Sequence, residues 1–153
     1  MLRGLLIALI TLVAAGPARA QVTPIDFQVI HLPRQYGLLN APYVAIHTQE
    51  AWAAQWPESS KNPNPIPKID FNKFILLIAN TGVTPSSGYS NIFTSVDTGP
   101  NKIVTNVHVI EMGPGNCPAM AHLADSVSYA LIRQTTNEIR FVITKADSNC
   151  PPP

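Results

Sequence analysis

The stretch "FILLIAN", Phe74–Asn80, constrains the fold more than any other part of the chain. It is apolar almost without a break, so it has no polar face to turn toward water. It is too short for an ordinary buried helix and is bounded by turn residues. Such a run reads as a central strand covered on both faces, and the rest of the chain must supply both covers.

The other periodic segments supply mostly strands. "IDFQVIHL" alternates Phe27 and Val29 against Gln28 and reads as a first strand, and "YVAIHT" as a short extended piece. "GYSNIFTSVDT" alternates Tyr89, Asn91, Phe93 and Ser95 against Ser90, Ile92, Thr94 and Val96. "KIVTNVHVIEM" places Ile103, Thr105, Val107, Val109 and Glu111 on one face. Gly99, Pro100 and Asn101 join these two runs as the best hairpin in the chain. "SVSYALIRQ" and "EIRFVITK" are two further strands joined by "TTN", which reads as a second hairpin.

One segment changes character. In "TQEAWAAQWP", Thr48 can cap a helix, Glu50 suits its first turn and three alanines favour it. Trp52 and Trp56 are four apart and share a helical face. Pro57 ends the helix, because the residue before a proline leaves the α region. Aromatics at this spacing are read as a buried stripe rather than an exposed binding platform. The expected fold is therefore α+β: a mainly antiparallel sheet with one principal helix at about 49–56.

The first twenty residues stand apart. Arg3, the apolar stretch Leu5–Ala15 and the small residues Ala18 and Ala20 read as a signal peptide cleaved before Gln21. The stretch is too short to span a bilayer comfortably, and no later apolar run reaches membrane length. An uncleaved anchor is the alternative. The expected organisation is a signal peptide at 1–20, an N-terminal strand and loop at 21–42, one domain at 43–150 and a proline tail at 151–153. The expected localisation is periplasmic or secreted.

Charge excludes some partners. The whole chain carries +1, from 10 Lys and Arg against 9 Asp and Glu. Loss of Arg3 and Arg19 with the leader leaves about −1, with no basic run, so nucleic acid and acidic membrane surfaces fit poorly as partners. An oxidising compartment makes a Cys117–Cys150 disulfide the default reading, with free thiols in a redox or metal role as the alternative.

No motif for chemistry emerges. His31, His47, His108 and His122 lack zinc-site spacing, and His108 and Glu111 fall on opposite faces of one strand. Ser86 or Ser87 with His108 and Asp97 could form a hydrolase constellation, but there is no G-x-S-x-G elbow. Asp70 and Glu111 are the carboxylate pair considered for glycoside chemistry. No catalytic residue, cofactor or metal is assigned, and the protein is read as a non-enzyme.

Several features follow one another in order. These are "HTQEAWAAQW", then "PKIDFNKFILLIAN", then "TGVTPSSGYS", then "KIVTNVHVIEMGPGNC", and last a strand with "IRFVI". This order resembles the PrcB C-terminal-like domain family, named for an accessory subunit of a bacterial surface protease complex. The resemblance spans roughly Tyr43 to Ile143. It departs at Ser86 and Ser87, where the family pattern has threonine and glycine. It implies a non-enzymatic accessory or protein-binding domain of the cell envelope, with a protease as one class of partner. Thr84, Pro85, Ser86, Ser87, Gly88 and Tyr89 form the expected partner-binding loop. A secreted protease inhibitor acting through loop 81–90 is the alternative, and an unrecognised hydrolase a further one.

Overall fold

The computed structural model describes residues 22–32, 42–55, 65–121 and 123–149. The expected signal peptide, Trp56, Pro57, His122, Cys150 and the proline tail lie outside them. Two four-stranded sheets face each other, and a short helix covers the outer face of one. The first sheet contains β1 (Thr23–Pro24), β5 (Ser90–Thr98), β6 (Val104–Gly113) and β8 (Glu138–Asp147), in that order across the sheet. The second contains β2 (Phe27–Ile30), β7 (Ala124–Arg133), β4 (Phe74–Thr84) and β3 (Tyr43–Ile46).

β4 is central in its sheet and is buried continuously from Ile75 to Asn80. Its odd-numbered residues Ile75, Leu77 and Ala79 meet Phe93, Val96, Val107, Val109, Ala130 and Ile132 between the sheets. Its even-numbered residues Leu76 and Ile78 pack on the other side with Ile46, Trp52 and Tyr129. The uninterrupted apolar run is thus explained by two separate cores, one on each face.

The helix α1 (Gln49–Gln55) supplies the outer cover. Thr48 Oγ1 accepts from the Ala51 N–H at 3.1 Å and caps the first turn. Trp52 is fully buried, stacks edge-on against Tyr129 at 6.1 Å, and donates its indole N–H to the Pro67 carbonyl at 3.0 Å. With one short helix on two sheets among the described residues, the described fold is mainly β, and an α+β label fits it only loosely.

β5 and β6 form the expected antiparallel hairpin about residues 99–103. Ile103 is not part of the inward row of β6; it sits in the turn and is 65% exposed. A bulge at Thr94 breaks the simple alternation of β5. Phe93 and Val96, three residues apart, therefore both enter the core.

The second expected hairpin does not form. β7 belongs to one sheet and β8 to the other, where β8 runs parallel to β6. The linking residues form an arch. Gln134 bonds the carbonyls of Phe71 and Phe74 on the β4 side, while Asn137 bonds Thr105 Oγ1 on the β6 side. "TTN" lacks the Asn-Gly type of turn that folds a strand back on its neighbour.

The N-terminal segment belongs to both sheets. β1 pairs with β5, and a few residues later β2 pairs with β7.

Candidate functional site

The loop expected at 81–90 is shorter than its composition suggests. β4 continues through Thr81–Thr84 after an irregularity between Asn80 and Val83. Asn80 Oδ1 accepts from the Gly82 N–H at 2.8 Å, and Gly82 takes φ +76°, a conformation that favours glycine. The turn proper is Pro85–Tyr89.

That turn is held from inside and from beside. Thr84, buried, donates its hydroxyl to the Ser86 carbonyl at 3.0 Å. Ser86 Oγ accepts from the Gly88 N–H at 3.4 Å. Ser87 and Met120 exchange two bonds: the Ser87 N–H donates to the Met120 carbonyl, and the Met120 N–H to Ser87 Oγ, both at 3.2 Å. At Gly88 an added Cβ would lie 2.6 Å from the Pro114 Cβ, so only glycine lets the turn close on this neighbour. Pro85 and Ser87 are exposed, and Ser86, Gly88 and Tyr89 half-buried.

Apolar side chains surround the turn. Val83 is 52% exposed, Met120 71% and Leu123 78%. Thr84 pairs with Ala124 at the end of the β4–β7 ladder, and Leu123 directly precedes Ala124.

Beside the turn is an open cleft of about 430 Å³, lined by Thr81, Thr84, Tyr89, Glu111, Lys145 and Asp147 among others. Glu111 and Lys145 are partners across the parallel β6–β8 ladder and form an ion pair at 3.3 Å. The other oxygen of Glu111 accepts from the Tyr43 hydroxyl. Burial, followed by this bond to a carboxylate, raises the Tyr43 pKa well above the ordinary phenol value. Behind the cleft Asn91 ties the sheets together. Its Nδ2 donates to the Ser126 carbonyl at 2.7 Å and the Ala79 carbonyl at 3.3 Å. The sequence offered one signal for Asn91, a polar residue on the same strand face as Phe93. Nothing signalled the meeting of Tyr43, Glu111 and Lys145.

The segment carrying Cys117 packs against the chain just before Cys150. The Ser148 N–H donates to the Gly113 carbonyl, and Asn116 Nδ2 to Asn149 Oδ1 at 3.3 Å. Cys117 is not a free thiol, and Cys150 lies outside the described residues.

The considered catalytic groups are scattered. His108 Nε2 and Asp97 Oδ2 lie 2.8 Å apart, with Asn106 Nδ2 donating to the other Asp97 oxygen at 2.9 Å. The loop serines precede Ser90, which pairs with Met112. Met112 is four strand residues from His108, roughly 13 Å at the rise of a strand, so the hydrolase constellation is not assembled. His108 and Glu111 do fall on opposite faces: Glu111 meets Tyr43 from the other sheet, whereas His108 meets Asp97 within its own. Asp70 lies four residues before β4, bonded to Lys73 at 2.9 Å, whereas Glu111 binds Tyr43, the strand partner of Ala79 midway along β4, so the two carboxylates do not form a pair. His31 and His47 are exposed, and no metal-binding cluster occurs among the described residues. No helix among them is long and apolar enough to cross a membrane.

No family model matches the chain, and neither a curated protein nor a solved structure does.

Proposed function

We propose that this is a secreted or periplasmic, non-enzymatic accessory domain that binds a protein partner through the Pro85–Tyr89 turn and its apolar surroundings. The observation that carries this reading is the placement of exposed Val83, Met120 and Leu123 around a turn with its own internal bonds. Such a patch loses little entropy on docking and gains from the removal of apolar surface from water. The signal-like leader supports the compartment, and the ordered motifs resembling the PrcB C-terminal-like family make a protease the first partner class to test.

A second reading uses the same surface. The double Ser87–Met120 bond and the Gly88–Pro114 contact hold the turn in one shape, which suits a rigid inhibitory loop.

The test is affinity capture from the native envelope and secreted fractions, followed by titration of the purified partner. The baits are the wild-type protein, the double variant Ser86→Lys/Ser87→Lys, and Leu123→Arg. One captured protein should bind the wild type and lose at least about tenfold in affinity with either variant, equivalent to about 1.4 kcal/mol. Equal binding by all three baits would sink the assignment of the surface. Inhibition of a captured protease, lost in the same variants, would select the inhibitor reading.

A further inference from the structure

β8 forms an edge of its sheet and pairs only with β6 among the described strands. Its ladder runs from Glu138 to Asp147 in unbroken register, without a bulge or a proline. Two hydrogen bonds fix its phase. The Glu138 N–H donates to the Ile103 carbonyl and the Ser148 N–H to the Gly113 carbonyl. Even-numbered residues therefore direct their backbone groups to β6. The N–H and C=O groups of Ile139, Phe141, Ile143, Lys145 and Asp147 point to the open edge. The side chains of Ile139, Phe141 and Ile143 turn toward the core yet stay half-buried. Natural edges of this length are usually broken by a bulge, a proline or an inward charge. Here the first two are missing, and the charges of inward parity, Lys145 and Asp147, sit only at the C-terminal end of the strand, where Lys145 is largely exposed and pairs with Glu111 at 3.3 Å.

We infer that β8 pairs with β8 of a second copy of this chain, antiparallel about a two-fold axis at Val142, joining two sheets into one. This inference is independent of the Pro85–Tyr89 surface. The sequence of β8 is compatible with itself in this register. Val142, the exposed apolar residue of the strand, meets its own copy. Arg140 faces Thr144, Glu138 faces Ala146, and Phe141 faces Ile143, an aromatic and β-branched pair of the kind that stabilises sheets. No like charges stand opposite one another. Centring on Arg140 would oppose two arginines. About Val142 one inward charge, Lys145, stands opposite an apolar residue, Ile139; centring on Ile143 would give two such pairings, Lys145 with Phe141 and Asp147 with Ile139. Centring on Phe141 shortens the ladder from residues 138–146 to 138–144.

The register makes a sharp prediction for cross-linking. Val142 and its copy form a non-hydrogen-bonded pair, with Cα atoms about 4.5 Å apart, within disulfide range. Thr144 and its copy are offset by four strand residues, roughly 13 Å, and are out of reach. The purified protein is studied by sedimentation velocity from micromolar to millimolar concentration. Val142→Arg, Val142→Cys and Thr144→Cys are run beside it, with circular dichroism to check folding. The expected result is a wild-type species of twice the chain mass, weakened at least about tenfold by Val142→Arg. Val142→Cys should form a covalent dimer on oxidation and Thr144→Cys should not. A wild type that is monomeric throughout, or Thr144→Cys linking as readily as Val142→Cys, would overturn the inference. The cysteine pair keeps the test decisive even where the arginine variant does not fold.

Discussion

Tyr43 and Glu111, 68 residues apart in the chain, meet where the two sheets close on each other, and the phenol donates to the carboxylate. Tyr43 comes from an edge strand of one sheet and Glu111 from an inner strand of the other. The Tyr43 ring also lies 5.6 Å from Phe141, so polar and apolar contacts between the layers coincide at one residue.

Tyr43→Phe keeps the ring contact and removes the hydroxyl. It should lower unfolding stability by about 1–2 kcal/mol, the range for one hydrogen bond to a charged group in a half-buried place. The effect should depend on pH. The folded-state pKa of Tyr43 is raised, so its contribution is fully present below about pH 10, the ordinary phenol value. Above that pH the unfolded chain loses the proton first and stability falls. Urea midpoints between pH 8 and pH 11 (roughly bracketing the ordinary tyrosine value) should converge for wild type and Tyr43→Phe as pH rises. Parallel curves would contradict this.

Trp52→Ala empties the place between α1 and the outer face of β4. A loss of about 3–5 kcal/mol is expected, since a fully buried indole and its bond to Pro67 both go. Near-ultraviolet circular dichroism should report the change at Tyr129, its edge-on neighbour.

Gly82→Ala and Gly88→Ala should differ in kind. At Gly82 nothing crowds the added methyl, and only the positive φ opposes it, by about 1–2 kcal/mol. At Gly88 the methyl meets Pro114, so the turn must shift away from its neighbour. Amide exchange at Ser87 and Met120 should speed up in Gly88→Ala and stay unchanged in Gly82→Ala.

A Cys117–Cys150 disulfide would close a loop of about thirty residues and stabilise by about 3–4 kcal/mol. Intact mass before and after reduction and alkylation should reveal one bond. The reduced protein should melt at a lower temperature. Alkylation of both thiols without reduction would rule the bond out.

The double coverage of β4 could be read directly from "FILLIAN", because a run with no polar phase has only one way to avoid water. The 99–103 hairpin and the Thr48 cap were equally local. The division into two sheets was not, because β7 and β8 each pair with strands far away in the chain. The bulge at Thr94 was hidden for a related reason: alternation places Phe93 and Val96 on opposite faces, and only the ladder with β6 reveals the extra residue. At the site, glycine, proline and serine marked the turn. The cleft beside it joins Tyr89 of the turn with residues of three strands, β4, β6 and β8, and face parity within one strand does not say which strands are neighbours.

The N-terminal segment that clasps both sheets has a consequence for the order of assembly. Phe27 finds its place beside Ile132, and Thr23 beside Thr98. A chain threaded through a translocation channel from its N-terminus would deliver these strands long before their neighbours emerge. They must wait, solvent-exposed, while the rest arrives, and the sandwich can be fastened only when β7 is out. Long-range pairing of this kind slows folding. For this protein the early residues would act as a late-closing clasp.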